Sequence, residues 1–121
     1  MKIPEKMLAV VLMGPNNLQL QEVVTPKPGP VDVLIKVEAC AVCSTDVGLI
    51  EKALPGQPPY GSFIPGHEYA GTVVALGDTV DEFKIGDRVA VEAHLGCGRC
   101  NNCRVGNYTA CLNYGNVKKG H

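Results

Sequence analysis

A small, mostly β domain with short helices is the fold class that this sequence predicts. Three observations carry it. Fourteen glycines and nine prolines punctuate a chain of 121 residues. The segments between them are short. The clearest apolar period among those segments is two, the period of a half-buried strand. Short strands joined by Gly/Pro turns suit a barrel-like arrangement. There is no internal repeat, no low-complexity tract and no linker long enough to divide the chain, so residues 1–121 are read as one domain.

The elements follow in order. Residues 7–13 are an apolar, valine-containing run ended by Gly14-Pro15, a strand and then a turn. Leu18 and Leu20 alternate with Gln19 and Gln21, a weaker strand signal. Pro26, Pro28, Gly29 and Pro30 make a rigid loop. Residues 31–39 alternate, with Val33, Ile35 and Val37 on one face and Asp32, Lys36 and Glu38 elsewhere. After Cys43, Ser44 or Thr45 is placed to N-cap one or two helical turns running to residues 49–52. Residues 54–65 hold four prolines and two glycines, a loop. Residues 69–76 read as a strand that Gly77-Asp78 turns. Lys84-Ile85-Gly86-Asp87 then leads into a strand at residues 89–93. From Leu95 on, a Cys/Gly/Asn-rich stretch shows no apolar period. It cannot build a hydrophobic core and needs something else to hold it.

Composition narrows the function classes. The net charge of -1 gives no electrostatic footprint for nucleic acid or an anionic membrane. Aromatic residues are 5% of the chain, too few for base-stacking platforms. The longest apolar stretch is far too short to span a bilayer. No secretory pattern opens the chain, so a cytoplasmic protein is expected. No Gly-x-Gly-x-x-Gly dinucleotide fingerprint is present.

Four of the six cysteines lie within residues 97–111. Cys97-x-x-Cys100-x-x-Cys103, followed by Cys111, supplies four soft ligands for tetrahedral zinc, with zinc–sulfur bonds of about 2.3 Å. Gly96, Gly98 and Gly106 permit the tight wrapping, and Arg99 and Arg104 stand beside the thiolates to offset their charge. Four protein ligands make a closed, structural site. Two disulfides, free buried thiols or a redox-active pair are the other uses of such spacing. A chain without an export signal favours zinc.

A second group is more dispersed: Cys43, Thr45 and Asp46 in one segment, His67 and Glu68 in another. A thiolate, an imidazole and a carboxylate with a free position describe an open, catalytic zinc. A buried cysteine and a satisfied histidine are the plain alternative, which the residues alone would favour. Gly66-His67-Glu68-Tyr69-Ala70-Gly71, with Gly77 and Val80, resembles the zinc signature of the medium-chain dehydrogenase/reductase family. The spacing of Cys97, Cys100, Cys103 and Cys111 resembles that family's structural zinc lobe, and Gly86-Asp87-Arg88-Val89 is a further hallmark.

The resemblance implies a GroES-like, partly open β-barrel with a zinc lobe at residues 94–113. It implies the N-terminal catalytic domain of a zinc-dependent alcohol or polyol dehydrogenase. In the family a Rossmann domain follows and binds NAD or NADP. The 121 residues are therefore expected to be a truncated piece, inactive alone. The resemblance further implies that Cys43 and His67 are catalytic zinc ligands. Glu68 would be a third ligand or an alternating partner, and any further ligand would come from beyond residue 121. Thr45 would accept the substrate proton and Asp46 would orient His67. The implied substrate is a small alcohol, polyol or hydroxy amino acid, and the implied full-length assembly is a homodimer or homotetramer.

Glu92-Ala93-His94 is similar to the Glu-Gly-His of threonine dehydrogenases, where the histidine borders the substrate pocket; a surface histidine is the alternative. Gly48 stands where threonine dehydrogenases carry a histidine, a departure that leaves a sorbitol-like polyol or a secondary alcohol as good a substrate. Cys40 has no family role and is expected to pack in the core. His121 is terminal and carries no expectation. Two rivals remain from other classes: a non-catalytic, zinc-stabilised GroES-like binding module, and a thiol-redox or zinc-binding protein.

Overall fold

The computed structural model describes residues 2–54, 56–116 and 118; Pro55 of the central loop and His121 lie outside the described residues. Strand β1 (Lys6–Gly14) pairs antiparallel with β2 (Asn17–Val24) as a two-stranded hairpin. Its turn is Pro15-Asn16, one residue later than the sequence suggested. Asn16 takes a left-handed φ of 55°, which asparagine tolerates better than most residues. Val11 and Leu12, 1% and 0% exposed, are core residues. Consecutive strand side chains point to opposite faces, so β1 is covered on both sides here. The central loop supplies part of that cover: Leu12 donates its N–H to the Phe63 carbonyl at 2.8 Å and accepts from Gly61 at 2.9 Å.

The second sheet has the order β3-β4-β5, all antiparallel: β3 (Val33–Ala41), β4 (Glu68–Leu76) and β5 (Arg88–Ala90). Gly71 is required where β4 meets β3, since a Cβ there would stand 2.1 Å from the Lys36 carbonyl oxygen. The alternation expected along β3 fails. Register shifts at Leu34/Ile35 and Val37/Ala39 break the period, and Val37 is 51% exposed. Strand β5 is also shorter than residues 89–93. Pairing past its end is a single bond, from the Val91 N–H to the Tyr69 carbonyl at 2.9 Å.

Helix α1 (Ser44–Glu51) starts one residue before the expected caps allow: Cys43 is the N-cap, with extended φ and ψ of -93° and 153°. The reason is Asp46, whose Oδ2 reaches back to accept the Cys43 N–H at 2.9 Å. The lobe carries a one-turn helix α2 (Asn101–Arg104) and a 3-10 turn at Tyr108–Ala110. The chain is thus mostly β with short helices and a four-cysteine lobe. No described helix is long and apolar enough to cross a membrane. Cys40, expected in the core, is exposed on β3.

Candidate metal centres

Among the described residues, two groups bring metal-ligating atoms together. In the first, one sulfur each from Cys97, Cys100, Cys103 and Cys111 lies within 4.8 Å of the others. Local backbone makes this possible. Cys100 N-caps α2, and its sulfur accepts the Cys103 N–H at 3.4 Å. Cys111 is buried and accepts from the N–H groups of Cys97 and Asn113, both at 3.4 Å. The Asn113 amide donates to the Cys97 sulfur at 3.2 Å.

These donors favour thiolate. The main-chain N–H of Arg99, followed by Asn113, brings the Cys97 thiol down to about 5. The Cys103 N–H lowers Cys100. Desolvation, followed by the neighbouring Cys100 sulfur, pushes Cys103 up to about 12. Four crowded sulfurs cannot all ionise unless a cation joins them, so this donor set fits a divalent soft metal. The cluster is of the four-cysteine structural zinc type.

The second group joins Cys43, His67 and Glu68, whose ligand atoms also lie within 4.8 Å of one another. Tertiary structure brings them together. Cys43 is carried by the N-terminus of α1, while His67 and Glu68 enter β4. The β3–β4 register pairs Ala41 with Glu68, which places the start of β4 beside the end of β3. Behind the cluster, Asp46 is 5% exposed and its Oδ1 lies 3.2 Å from His67 Nδ1. The contact is within ion-pair distance, and Oδ1 has no hydrogen-bond partner among the described residues. With Nδ1 turned to Asp46, Nε2 is left for a ligand. The Thr45 hydroxyl stands 3.5 Å from the Cys43 sulfur. Hydrogen bonds from that hydroxyl, then from the Thr45 N–H and His67, lower the Cys43 thiol pKa. Cys43 is in turn the main cause of a raised His67 pKa, with Asp46 assisting. Sulfur, nitrogen and oxygen donors around one point, one of them backed by a buried carboxylate, fit a zinc ion with an open position.

The expected site residues thus fall as follows. Cys43, Thr45, Asp46, His67 and Glu68 are gathered in one place, and the four lobe cysteines in another. His94 joins neither group. It lines a cavity of about 300 Å³ beside the lobe, with Glu92, Leu95, Gly96, Cys103 and Tyr108. Its ring centroid is 6.0 Å from that of Tyr114. Two contributors escaped the sequence reading. Asn113 hydrogen-bonds two lobe sulfurs. Tyr108 donates its hydroxyl to the Glu92 carboxylate, with oxygens at 2.7 and 2.8 Å, and ties the lobe to the strand end. Neither belongs to a ligand motif, so spacing could not reveal them.

Comparison with known proteins agrees with this geometry. The family described as "Alcohol dehydrogenase GroES-like domain" matches residues 29–121. L-threonine 3-dehydrogenase of Pyrococcus horikoshii is 45% identical over 114 residues, which cover 90% of this chain and 32% of that protein. Sorbitol dehydrogenase of Bacillus subtilis is 39% identical over 114 residues, covering 90% of this chain and 31% of that protein. A cobalt- and zinc-bound thermostable alcohol dehydrogenase of Pyrobaculum aerophilum superposes with a TM-score of 0.80 at 37% identity, covering 88% of this chain and 32% of that chain. The chain spans about a third of the length of these relatives. It belongs to the zinc-type medium-chain alcohol dehydrogenase family, as its N-terminal GroES-like domain.

Proposed function

We propose that this chain is the substrate-activating domain of a zinc-dependent, NAD- or NADP-linked alcohol dehydrogenase. The observation that carries the reading is the meeting of Cys43, His67 and Glu68, from two separate segments, with Asp46 behind the imidazole. Cys43, His67 and Glu68 would hold one zinc, and Cys97, Cys100, Cys103 and Cys111 a second, structural one. Zinc at the open position would supply Lewis acidity, which makes a substrate hydroxyl easier to deprotonate. The residues do the rest. Asp46 orients His67 and strengthens it as a ligand. Thr45 holds its hydroxyl beside Cys43, where it can take the substrate proton and pass it outward. Hydride would go to a nicotinamide that a further domain positions.

The relatives named for threonine and sorbitol support a substrate that is a small polyol or hydroxy amino acid. Gly48, with open space around it, favours neither. His94 would border the substrate only if the ligand reached the cavity that it lines. The thiol-redox reading leaves the meeting of Cys43 with His67 and Glu68 unexplained. So does a binding module without catalysis.

Zinc counting per chain tests the proposal. Two ions are expected in the wild type and one in Cys43→Ala. A wild type that holds a single ion, unchanged by Cys43→Ala, overturns the catalytic assignment. The 121 residues alone are expected to oxidise no alcohol with NAD or NADP, and measurable turnover would overturn that part.

A further inference from the structure

We propose that Cys40 is a positioning residue for the open cluster: its sulfur packs against Gly66 and fixes the turn that delivers His67 to Cys43. The proposal rests on the metal reading of Cys43, His67 and Glu68 given above.

Gly66 has a φ of +107°, a conformation that side chains rarely adopt. A Cβ on Gly66 would come within 2.9 Å of the Cys40 sulfur, so the sulfur stands where a Gly66 side chain would have to go. Glycine has the greatest backbone freedom of any residue, and a glycine just before a ligand needs an external stop. Cys40 is well placed to be that stop. It lies on β3 opposite Tyr69, and its neighbour Ala41 lies opposite Glu68, so the end of β3 stands beside the start of β4, next to which His67 lies. Its thiol donates to the Ala41 carbonyl at 3.5 Å, which turns the sulfur along its own strand. Cys40 is not itself part of the ligand group, which among the described residues is Cys43, His67 and Glu68. It acts as a spacer of fixed size. An exposed thiol with this contact is a small, polarizable filler, and a larger side chain would displace the Gly66–His67 peptide.

The test is metal binding to the 121-residue chain, by chelator competition with zinc and by the absorption of bound cobalt(II). The four-thiolate lobe serves as an internal control for folding, because its spectrum differs from that of a site with mixed sulfur, nitrogen and oxygen ligands. Cys40→Leu is expected to weaken the open cluster by about tenfold or more and to alter its cobalt spectrum, with the lobe unchanged. Cys40→Ser keeps a small γ atom against Gly66 and is expected to stay within about threefold of wild type, whereas Cys40→Ala removes the stop and is expected to weaken the open cluster by more than about threefold, with the lobe unchanged. Wild-type binding by Cys40→Leu or by Cys40→Ala overturns the proposal. So does equal loss in Cys40→Ser, which would make the sulfur a ligand, or joint loss of both metals, which would make it a general structural residue. A wild type that loads only the lobe overturns the underlying metal reading, and the proposal with it.

Discussion

In the lobe, Cys97, Cys100, Cys103 and Cys111 come together within one short stretch of chain whose own turns aim every sulfur inward. At the open cluster, Cys43 and His67 come together because a helix start and a strand start are docked against each other across the β3–β4 register. The lobe has ligands but hardly any core: Cys111 and Asn113 are its buried residues among those described. The open cluster is carried by the β3–β4 pairing, whose backbone hydrogen bonds do not involve its ligand atoms. The difference teaches that metal-ligating side chains can stand in for a core in one place and merely use a fold in another. Metal removal should therefore have opposite consequences at the two.

The largest expected effect is in the lobe. Apparent metal-binding free energies of structural zinc reach about 10–16 kcal/mol in small zinc-dependent folds, and there binding and folding are one event. Cys100→Ser is expected to lose the lobe metal and, with it, amide-exchange protection in α2 and the 3-10 turn. Protection in β1 to β4 is expected to remain. A metal-free lobe that keeps its protected amides would break the comparison, because something other than metal would then be holding it.

Next in size is the removal of an open-cluster ligand. Cys43→Ala is expected to weaken metal there by more than about 100-fold, beyond the usual cost of losing an outer partner. The lobe metal and the thermal unfolding of the sheet are expected to change little. If Cys43→Ala instead unfolds α1, the sulfur would be serving the helix start, and the cluster would be structural like the lobe.

The same contrast explains how much could be read from sequence. The lobe was legible because its chemistry is local: C-x-x-C spacing and nearby glycines already fix which atoms can meet. Cys43 and His67 are remote in sequence, and a resemblance was needed to join them, since no periodicity encodes the β3–β4 register. The strands were legible where Gly/Pro punctuation and valine content were strong, as at β1 and β4. Alternation along β3 misled, because register shifts at two points turn side chains off the expected face. The cap of α1 was misplaced because the side chain that fixes it, Asp46, acts backward from inside the helix. Cys40 was misread because an apolar strand suggests burial, and nothing in the sequence says which end of a strand lacks cover.

A smaller effect separates orientation from ligation. Asp46→Asn keeps an oxygen able to accept the Cys43 N–H but removes the charge beside His67. Loss of such a partner typically costs about 10–100-fold in metal affinity. The open cluster is expected to fall within that range and the lobe to be unaffected, measured by competition with a zinc chelator. An unchanged affinity would mean that the 3.2 Å contact positions nothing.

The smallest expected effect tests whether α1 is tuned for stability at all. Gly48 lies inside the helix, its φ is not in the left-handed region, and nothing described lies within 4 Å of where its Cβ would be. Neither strain nor crowding therefore calls for glycine. Gly48→Ala should stabilise the helix by about 0.5–1 kcal/mol, because glycine loses more backbone freedom on folding. That corresponds to a rise of about 2–6 °C in the thermal midpoint, with both metal sites loaded as before. The gain would place the open cluster on a helix that is less stable than its sequence position allows, in contrast to the metal-bound lobe. A loss of stability would show that the space beside Gly48 is occupied in solution, and that this face of α1 is covered.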